Sequence, residues 1–383
     1  MRKRWIVNKL SERAKSLAKK LHINPIIAHL LLSRQVREDE LTGFIDSEIS
    51  LHEPLLLPDM DLAVRRIKKA VKDKEKILLF GDYDVDGITS LAIFHDYLKK
   101  TQADFSFYIP HRIKEGFGLS KQAVRSIKEK GVGIIICFDC GTNSHQEIEL
   151  ARSYGIETVV VDHHQPKDDF DAPLAFINPK RKDSRYPFPD LSSAAVTFKL
   201  VQALMNDSCY HLLDLVALSV VCDVVPLRGE NRMLLKEGLR RIRRTARPAV
   251  SALCQISGVK QENLDVFHLG YILGPRINAS GRVSTAHDAL NMFLATDTAE
   301  AKTYADKLHQ YNRIRRDIEK TVLKEAESSL SGDIGNKFGL VVYKQGWHQG
   351  VLGIVASRLV DKYYRPTLVI GFDDEKAGGR PVP

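Results

Sequence analysis

Three short, continuously apolar segments of the chain each lead directly into charged residues. The segments, each with the residue that follows it, are Ile77–Gly81 before Asp82, Ile134–Phe138 before Asp139, and Thr158–Val161 before Asp162. A helical pattern follows each segment, and short runs that are apolar at every position are typical of parallel strands buried on both faces. The alternation of strand and helix therefore predicts an α/β fold built on a doubly wound, mostly parallel sheet.

The charged residues after these strands are expected to meet. In a doubly wound sheet the carboxyl ends of the strands share one edge, and ligands bind in the crevice outside it. The loop after the first strand contributes Asp82, Asp84 and Asp86. The loop after the third contributes the sequence Asp162-His163-His164. Carboxylates and imidazoles bind metals or move protons, and packing alone seldom places them at the end of a buried strand. We therefore expect one metal or catalytic site at this edge.

The first loop also resembles a calcium-binding loop, because its aspartates alternate in a D-x-D-x-D-G pattern. Such a loop would require a glutamate six residues after Gly87, where Ile93 stands. A solvated turn is the other alternative. The two further loops with Asp or His at strand ends favour a shared metal site over both.

A further carboxylate, Asp223, lies among apolar residues on both sides in the segment 215–226. Burying a carboxylate without a partner is costly. The position therefore implies a metal ion or an arginine as its partner and adds Asp223 to the expected site.

Two glycine-containing segments carry arginines that would suit an oxyanion. Arg112 lies in the segment 110–119, and Arg276, Asn278 and Arg282 lie in the segment 274–282. Glycine and proline in both segments favour turns. Because guanidinium groups bind phosphate oxygens in a bidentate manner, both segments predict phosphate contacts.

Other patterns divide the chain into parts. Residues 1–50 have a helical pattern without candidate chemistry, and residues 297–331 carry apolar side chains three and four positions apart along one long helix. A strand pattern resumes at Phe338. We expect an N-terminal helical segment (1–50), a catalytic domain (51–296), a connecting helix (297–331) and a partial second α/β domain (332–383).

Composition narrows the partners and the compartment. Among 383 residues, 57 Lys and Arg outnumber 48 Asp and Glu, and the net charge of +9 suits a polyanionic partner without identifying one. The basic segment 232–247 fits either a solvated helix or a surface that follows a nucleic-acid backbone. No apolar span is long enough to cross a bilayer and no apolar leader follows the basic N-terminus, so we expect a cytoplasmic protein without membrane contact.

The five cysteines are an odd number, scattered along the chain, and do not form a disulfide framework. Cys137 and Cys140 spell a C-x-x-C motif, but no second pair completes a zinc site and Cys137 lies inside an apolar run. We expect both to be core thiols.

Six motifs, in this order, resemble the DHH phosphoesterase family. The motifs are DYDVDG (82–87), CFDCGT (137–142), VDHH (161–164), CDVVPL (222–227), GPRINASGR (274–282) and GWHQGVLGIVASRL (346–359). The first four mark the superfamily, and the last two are similar to its exonucleases that degrade single-stranded DNA from the 5′ end. The resemblance extends from about Leu51 to Arg380.

This resemblance implies a DHH domain holding two Mn²⁺ or Mg²⁺ ions, joined by a long helix to a smaller DHHA1 domain that closes over the substrate. The implied metal ligands are Asp84, Asp86, Asp139, His163 and Asp223, with Asp82 adjoining. Asp162 is implied either as a ligand or as the group that orients a histidine, and His164 as a neighbour of the metals or the scissile phosphate. The implied substrate contacts are Arg112, Arg276, Asn278, Arg282, His348 and Arg380.

The implied activity is hydrolysis of single-stranded DNA to 5′-mononucleotides, in DNA repair and recombination. Carboxylates with few imidazoles suit hard ions, and two such ions can support an in-line displacement at phosphorus. The resemblance also implies a monomer, with a single-stranded-DNA-binding protein or a helicase as candidate partners.

The chain departs from the family near its C-terminus. Where the family has a Gly-Ser-Gly-Arg-Ser loop, this chain has Ala377-Gly378-Gly379-Arg380-Pro381 and then ends at Pro383. The rest of DHHA1 and an oligonucleotide-binding fold would follow in the family, so we expect a weakened grip on nucleic acid.

Two alternatives therefore stay open. One is the same chemistry on a short oligonucleotide, pAp or a cyclic dinucleotide, and the other is a non-catalytic nucleic-acid-binding scaffold. The intact Asp and His motifs argue against the scaffold, and the basic segments around Arg181 and Arg243 favour a polymer over a dinucleotide.

Overall fold

The computed structural model describes residues 8–36, 41–45, 50–167, 173–330 and 337–372. The α-helices within these ranges are α1 (Glu12–Lys20), α2 (Pro25–Ser33), α3 (Leu41–Ile45), α4 (Met60–Lys72), α5 (Val85–Leu98), α6 (Lys121–Lys128), α7 (His145–Ser153), α8 (Ser193–Met205), α9 (Leu213–Cys222), α10 (Gly229–Ile242), α11 (Pro248–Ser257), α12 (Gly274–Val283), α13 (His287–Leu294), α14 (Thr298–Ser329) and α15 (Gln349–Tyr363). The strands are β1 (Ile77–Gly81), β2 (Phe105–Tyr108), β3 (Ile134–Phe138), β4 (Glu157–Val161), β5 (Ala175–Ile177), β6 (Leu340–Gln345) and β7 (Thr367–Phe372). Three short 3₁₀ helices (Pro54–Leu56, Tyr210–Leu212 and Gln261–Asn263) and a π-helix (His268–Leu273) complete the regular structure of these ranges.

The main sheet has five parallel strands in the order β2-β1-β3-β4-β5. The register pairs Ile77 of β1 with both Phe105 of β2 and Ile134 of β3, so the strands end nearly level. Parallel strands joined through helices form a doubly wound sheet, and the predicted fold class is confirmed.

Alternate side chains of the sheet enter two separate cores, because successive residues of a strand point to opposite faces. Leu79, Ile136 and Val159 pack on the face covered by α4, α5 and α8, whereas Phe80 and Val160 pack on the face covered by α6 and α7. Every side chain of these apolar runs therefore faces a core, as expected for a sheet buried on both faces. Cys137 and Cys140 are buried in the second core, which confirms their prediction as core thiols.

The segment 274–282 was expected to be a turn, and that expectation is wrong because it forms most of α12. Pro275 is the second residue of α12, where the preceding π-helix gives way to α-helix. The glycines serve close packing instead of turning. A Cβ on Gly274 would lie 2.5 Å from the Cys222 sulfur, and a Cβ on Gly281 would lie 2.7 Å from the Tyr83 carbonyl oxygen.

Helix α14 connects the main sheet region to a second α/β unit. Its first half packs against α11, α12 and α13, and its second half buries Val322 and Ala326 against β6 and α15. Strands β6 and β7 are parallel and are joined through α15. The N-terminal helices α1, α2 and α3 form a small core of their own. Within the described ranges, no helix is both long and apolar enough to span a membrane.

Three basic residues of the segment 232–247 contact other elements of the protein. Arg232 lies 3.6 Å from the Phe44 ring centroid and donates to the Phe44 carbonyl, and Arg243 donates to the Leu264 carbonyl. Arg247 forms a buried ion pair with Asp214. These contacts bind helices together, whereas the side chains of Lys236, Arg240 and Arg244 are exposed, so a solvated helix and a surface for nucleic acid both stay predictions.

A buried charge network fixes α8 against α10. The Lys199 ammonium lies 2.6 Å from a Glu230 carboxylate oxygen, and both side chains are fully buried. The other Glu230 oxygen accepts a hydrogen bond from the Tyr186 hydroxyl at 2.6 Å, and Lys199 also donates to the His52 carbonyl. Every charge in this network therefore has more than one partner, which is the condition for tolerating buried ions.

Replacing Lys199 with Met is expected to destabilise the protein by about 3–5 kcal/mol, because the substitution leaves Glu230 buried without its cation. The free energy of unfolding in urea measures the effect. Arg240→Met is the matched control, since the Arg240 side chain is exposed in its ion pair with Glu237 and its loss should change stability little. Equal effects of the two substitutions would contradict the account of the network.

Candidate metal centre

The strand order reverses between β1 and β3, where adjoining loops leave the sheet in opposite directions and open a crevice. Asp82 directly follows β1 and Asp139 directly follows β3. His163 follows β4 by two residues, and Asp223 lies just beyond the end of α9. The sheet topology therefore brings to one crevice the Asp and His residues that are far apart in sequence.

Asp84 lies at the start of α5 and caps it. One of its carboxylate oxygens accepts hydrogen bonds from the backbone N–H groups of Asp86 at 2.9 Å and Gly87 at 3.2 Å. A Cβ on Gly87 would lie 2.5 Å from the Asp82 carbonyl oxygen, so only glycine fits this turn. The loop is thus folded tightly enough to bring three aspartates to one place.

Asp86 is buried and held by the start of α8. Its carboxylate accepts hydrogen bonds from the backbone N–H groups of Ser193 at 2.7 Å and Ala194 at 2.8 Å, and from the Ser219 hydroxyl at 2.7 Å. The N-terminus of a helix stabilises a negative charge. These hydrogen bonds fix the buried Asp86 carboxylate against the start of α8. This anchor was not predicted from the sequence, where its signal is Ser192, the N-cap of α8, followed by Ser193.

Asp162 is bonded almost entirely within its own loop. One carboxylate oxygen accepts from the backbone N–H groups of His163 and His164 and lies 2.7 Å from His164 Nδ1, while the other accepts from the Thr142 N–H. Burial would raise the pKa of Asp162, but the hydrogen bond and charge of His164 hold that pKa below its usual range. This geometry favours Asp162 as the group that orients His164.

His164 is the cationic member of the site. Burial would lower its pKa, but the hydrogen bond with Asp162 and the charges of Asp162, Asp223 and Asp86 raise the pKa of His164 to about 9. The ring lies close to His163, with a centroid separation of 4.8 Å. In the metal-free protein His164 is therefore protonated at neutral pH.

His163 points a ring nitrogen at three carboxylates. Its Nε2 lies 3.3 Å from Asp139, 3.5 Å from Asp223 and 3.6 Å from Asp86. Within the described part of the chain neither ring nitrogen has a hydrogen-bond partner, although both are buried. Burial lowers the pKa of His163, which favours the neutral form that binds metals.

Two adjoining sets of groups could each hold a cation. Asp86, His163 and Asp223 form one set, and Asp82, Asp84 and Asp139 form the other, with the ligand atoms of each set within 4.8 Å of one another. Asp139 also belongs to a third, overlapping set with Asp162, His163 and His164. Asp139 therefore lies between the two positions.

The residues fit a metal site by their chemistry as well as by their spacing. One carboxylate oxygen of Asp82 and one of Asp139 are buried without a hydrogen-bond partner among the described residues. Burial and neighbouring carboxylates raise the pKa of Asp82 and of Asp223 to about 8, and raise that of Asp139 well above its usual range. Crowded carboxylates with unbonded oxygens are the donors that hard divalent ions prefer.

The backbone is strained at two positions of the site. Asp139 has a φ of 61° and Val224, which follows Asp223, has a φ of 58°. A β-branched residue such as valine rarely adopts this left-handed conformation. Strain of this kind costs about 1–3 kcal/mol and is concentrated at functional sites. Asp139 itself belongs to the cluster, and Val224 directly follows Asp223.

Arg112 and Arg282 lie beside the cluster. The Arg112 guanidinium covers the Tyr83 ring at 4.9 Å, and Arg282 donates to the Gly350 carbonyl of the second α/β unit at 3.0 Å. Burial and the charges of Arg112 and Arg315 lower the pKa of Arg282 to about 10. Within the described ranges neither Arg112 nor Arg282 forms a salt bridge, so both can meet an anion.

The remaining predicted substrate contacts, Asn278, His348 and Arg276, form hydrogen bonds within the protein. The Asn278 side-chain oxygen accepts from the Val85 N–H at 3.0 Å and so braces the acidic loop. His348 caps α15 by accepting from the Gly350 N–H, and Arg276 donates to the Ile272 carbonyl. Arg380 lies outside the described residues. Their contacts with substrate stay predictions.

Comparison with known proteins places this site in a family. The sequence profile "DHH family, N-terminal domain" matches residues 76–220. A crystal structure of exonuclease RecJ bound to manganese is 30% identical, with a TM-score of 0.76 over 84% of this chain and 82% of that chain. The chain belongs to the DHH family.

Two further relatives are larger than this DHH protein. The single-stranded-DNA-specific exonuclease RecJ of Bacillus subtilis is 37% identical over 97% of this chain and 48% of its own length. RecJ of Thermus thermophilus in complex with Mn²⁺ has 27% identity and a TM-score of 0.80 over 94% of this chain and 52% of that chain. The same Thermus protein is also known in complex with Mg²⁺. The chain thus spans about half the length of these two relatives.

With metal chelated by EDTA, the free energy of unfolding is expected to fall as the pH rises toward about 8. In the folded protein Asp82 and Asp223 keep their protons up to a pKa of about 8, whereas unfolded aspartates lose them near 3.8. The folded state binds more protons in this window, so stability is lost as the pH rises through it.

Urea unfolding between pH 6 and 9 measures this dependence, with an Asp82→Asn/Asp223→Asn double variant as the control. The variant should show a flatter dependence because its amides do not titrate. Identical slopes for the two proteins would refute the explanation.

Asp162→Asn is expected to lower the pKa of His164 from about 9, because the substitution removes the carboxylate that holds the imidazolium. NMR titration of the His164 ring in metal-free protein measures this shift. The matched control is Asp183→Asn, at an exposed loop position where the aspartate pairs with Arg181. An unchanged His164 titration in Asp162→Asn would overturn the orienting role of Asp162.

Proposed function

We propose that the chain is a metal-dependent phosphodiesterase that removes 5′-mononucleotides from single-stranded DNA. One observation carries this proposal: Asp and His side chains from four separate loops form two adjoining ligand sets, beside arginines without acidic partners among the described residues. Adjoining cation positions next to an anion site are the arrangement that phosphodiester hydrolysis requires. The names of the RecJ relatives, single-stranded-DNA-specific exonucleases, support the choice of substrate.

The two cations are Mn²⁺ or Mg²⁺, the ions held by the Thermus relative. Asp86, His163 and Asp223 would hold one ion, and Asp82, Asp84 and Asp139 would hold the other. When bound, such a pair supplies an activated water and stabilises the charge on the attacking and leaving oxygens.

The side chains around the ligands bind and orient the phosphate. His164, protonated and held by Asp162, can donate a hydrogen bond to a phosphate oxygen. Arg112 and Arg282 supply guanidinium groups for the terminal phosphate at the 5′ end. Since Arg282 also bonds Gly350, phosphate binding and the position of the second α/β unit are linked through one residue.

The competing substrates share the same chemistry at the metals. A short oligonucleotide, pAp or a cyclic dinucleotide would meet the same carboxylates, so the site alone favours none of them. The guanidinium of Arg181 is already used, because it bonds Asp59, Asp183 and the Phe176 carbonyl, whereas exposed arginines around Arg243 still favour a polymer. The non-catalytic scaffold is disfavoured, because binding alone does not require two metal-type ligand sets.

Cytoplasmic localisation, a monomeric state, a role in DNA repair and recombination, and partnership with a single-stranded-DNA-binding protein or a helicase belong to the same proposal. The division into residues 1–50, 51–296, 297–331 and 332–383 likewise stays a prediction. The names of the relatives support the DNA-processing role, and the course of α14 between two cores supports the placement of the connecting helix.

Asp139→Asn and His163→Ala are each expected to reduce hydrolysis of single-stranded DNA by at least ~10³-fold, because each removes a ligand on which an activated water depends. Digestion of 5′-labelled DNA, RNA and dinucleotides with Mn²⁺ measures the activity, and release of labelled mononucleotide identifies the cleaved end. Mn²⁺ should also raise the Tm of the wild-type protein by more than that of His163→Ala, which keeps the set of Asp82, Asp84 and Asp139.

Asp207→Asn is the matched control, since Asp207 is an exposed aspartate bonded only to its own turn among the described residues. Retention of Mn²⁺-dependent digestion by His163→Ala would exclude the proposed ligand set. Release of label from dinucleotides alone would favour the small-substrate alternative.

A further inference from the structure

An exposed pair of aromatic rings lies at the π-helix that leads into α12. Phe267 and Tyr271 are 58% and 75% exposed, and their rings are stacked with a centroid separation of 5.2 Å and an interplanar angle of 29°. Aromatic side chains dominate the energetics of cores and interfaces when they are buried, so two exposed and mutually oriented rings indicate a surface that contacts another molecule.

The pair is carried by an unusual and firmly anchored element. Tyr271 lies in the π-helix, which continues directly into α12, and helices of this kind are rare and frequent at functional sites. Cys222 donates through its sulfur to the Leu269 carbonyl, and Gly274 allows α12 to approach the same sulfur. Because Cys222 immediately precedes Asp223, the aromatic pair is fixed relative to a metal ligand.

Three arginines lie on α12 and α14, two helices that pack against each other beside this element. Arg276 donates to the carbonyl of Ile272, the neighbour of Tyr271, and its buried Nε has no hydrogen-bond partner among the described residues. Burial and then the charge of Arg316 lower the pKa of Arg276. Burial and the charges of Arg276 and Arg313 lower the pKa of His309, and the charge of Asp306 opposes this change. Within the described ranges Arg276, Arg313 and Arg316 form no salt bridge, so the cluster favours an anion.

We propose that Phe267, Tyr271, Arg276, Arg313 and Arg316 form a binding site for single-stranded DNA outside the metal centre. A base stacks on the exposed face of the aromatic pair, and Arg276 and Arg316 neutralise the phosphates next to it. Stacking aromatics along a basic groove are the usual means of holding a single strand without sequence preference. This inference rests on the proposed function and extends it from the scissile phosphate to the rest of the strand.

The site would distinguish a strand from a small nucleotide. A dinucleotide held at the metals has no further base to place on Tyr271, whereas a longer strand has one. The aromatic pair thus supplies a preference for a polymer beyond that of the exposed arginines around Arg243.

Binding of a 20-nucleotide strand by fluorescence anisotropy, without divalent metal so that the strand stays intact, tests the proposal. Tyr271→Ala should weaken binding about ten-fold, as expected for the loss of one base stack, and Tyr271→Trp should retain it. Phe338→Ala, at an aromatic that is 96% exposed beyond α14, is the matched control and should bind as the wild type does. Arg316→Ala should reduce the slope of the logarithm of affinity against the logarithm of salt concentration by about one, as expected for the loss of one phosphate contact.

A second strand that carries abasic sites separates stacking from general damage. The wild type should bind this strand about ten-fold more weakly than the intact strand, whereas Tyr271→Ala should bind both equally. In digestions with Mn²⁺, Tyr271→Ala should also lose most of the wild-type preference for a 20-mer over a dinucleotide.

The outcomes are distinguishable from failure of the proposed function. Unchanged binding by Tyr271→Ala, or an equal loss for the intact and abasic strands, would overturn this inference while strand digestion by the wild type persists. A wild-type protein that neither binds nor digests single strands would overturn both proposals.

Discussion

Mutual repulsion among buried carboxylates is the constraint on which the rest of this structure depends. Asp82, Asp84, Asp86, Asp139 and Asp223 crowd a crevice where burial already opposes their charge. Such a cluster persists only when the surrounding backbone fixes each carboxylate in place. The start of α8 holds Asp86, the start of α5 is capped by Asp84, and strained backbone conformations occur at Asp139 and just after Asp223. Much of the rigidity around the site serves to hold these carboxyl groups together.

The sequence was sufficient for the sheet and for the convergence of its loops, because both follow from local patterns. Runs that are apolar at every position have few alternatives to a strand buried on both faces, and parallel strands necessarily end at one edge. The C-x-x-C cysteines were also predictable, since Cys137 falls within such a run. These features depend on residue type and position, and neither depends on knowing which distant partner a side chain meets.

Other features depended on distant partners and could not be predicted. The Gly and Pro residues of 274–282 suggested a turn, but Gly274 and Gly281 are needed where α12 touches Cys222 and Tyr83. The basic segment 232–247 suggested a solvated helix or a surface for nucleic acid, yet Arg232, Arg243 and Arg247 meet carbonyl groups and a buried aspartate of other elements. The sequence alone likewise left Asp162 as a ligand or an orienting group, and its hydrogen bonds favour the second.

The anchoring of Asp86 has a consequence for the order in which the protein can mature. The groups that bond its carboxylate follow it by 107 to 133 residues, so a growing chain contains the acidic loop long before it contains Ser193, Ala194 and Ser219. Contacts between residues so far apart in sequence close late in folding. During synthesis all five strands of the main sheet would therefore emerge before the groups that bond Asp86. The Asp86 carboxylate is fixed only once α8 and α9 have docked on that sheet.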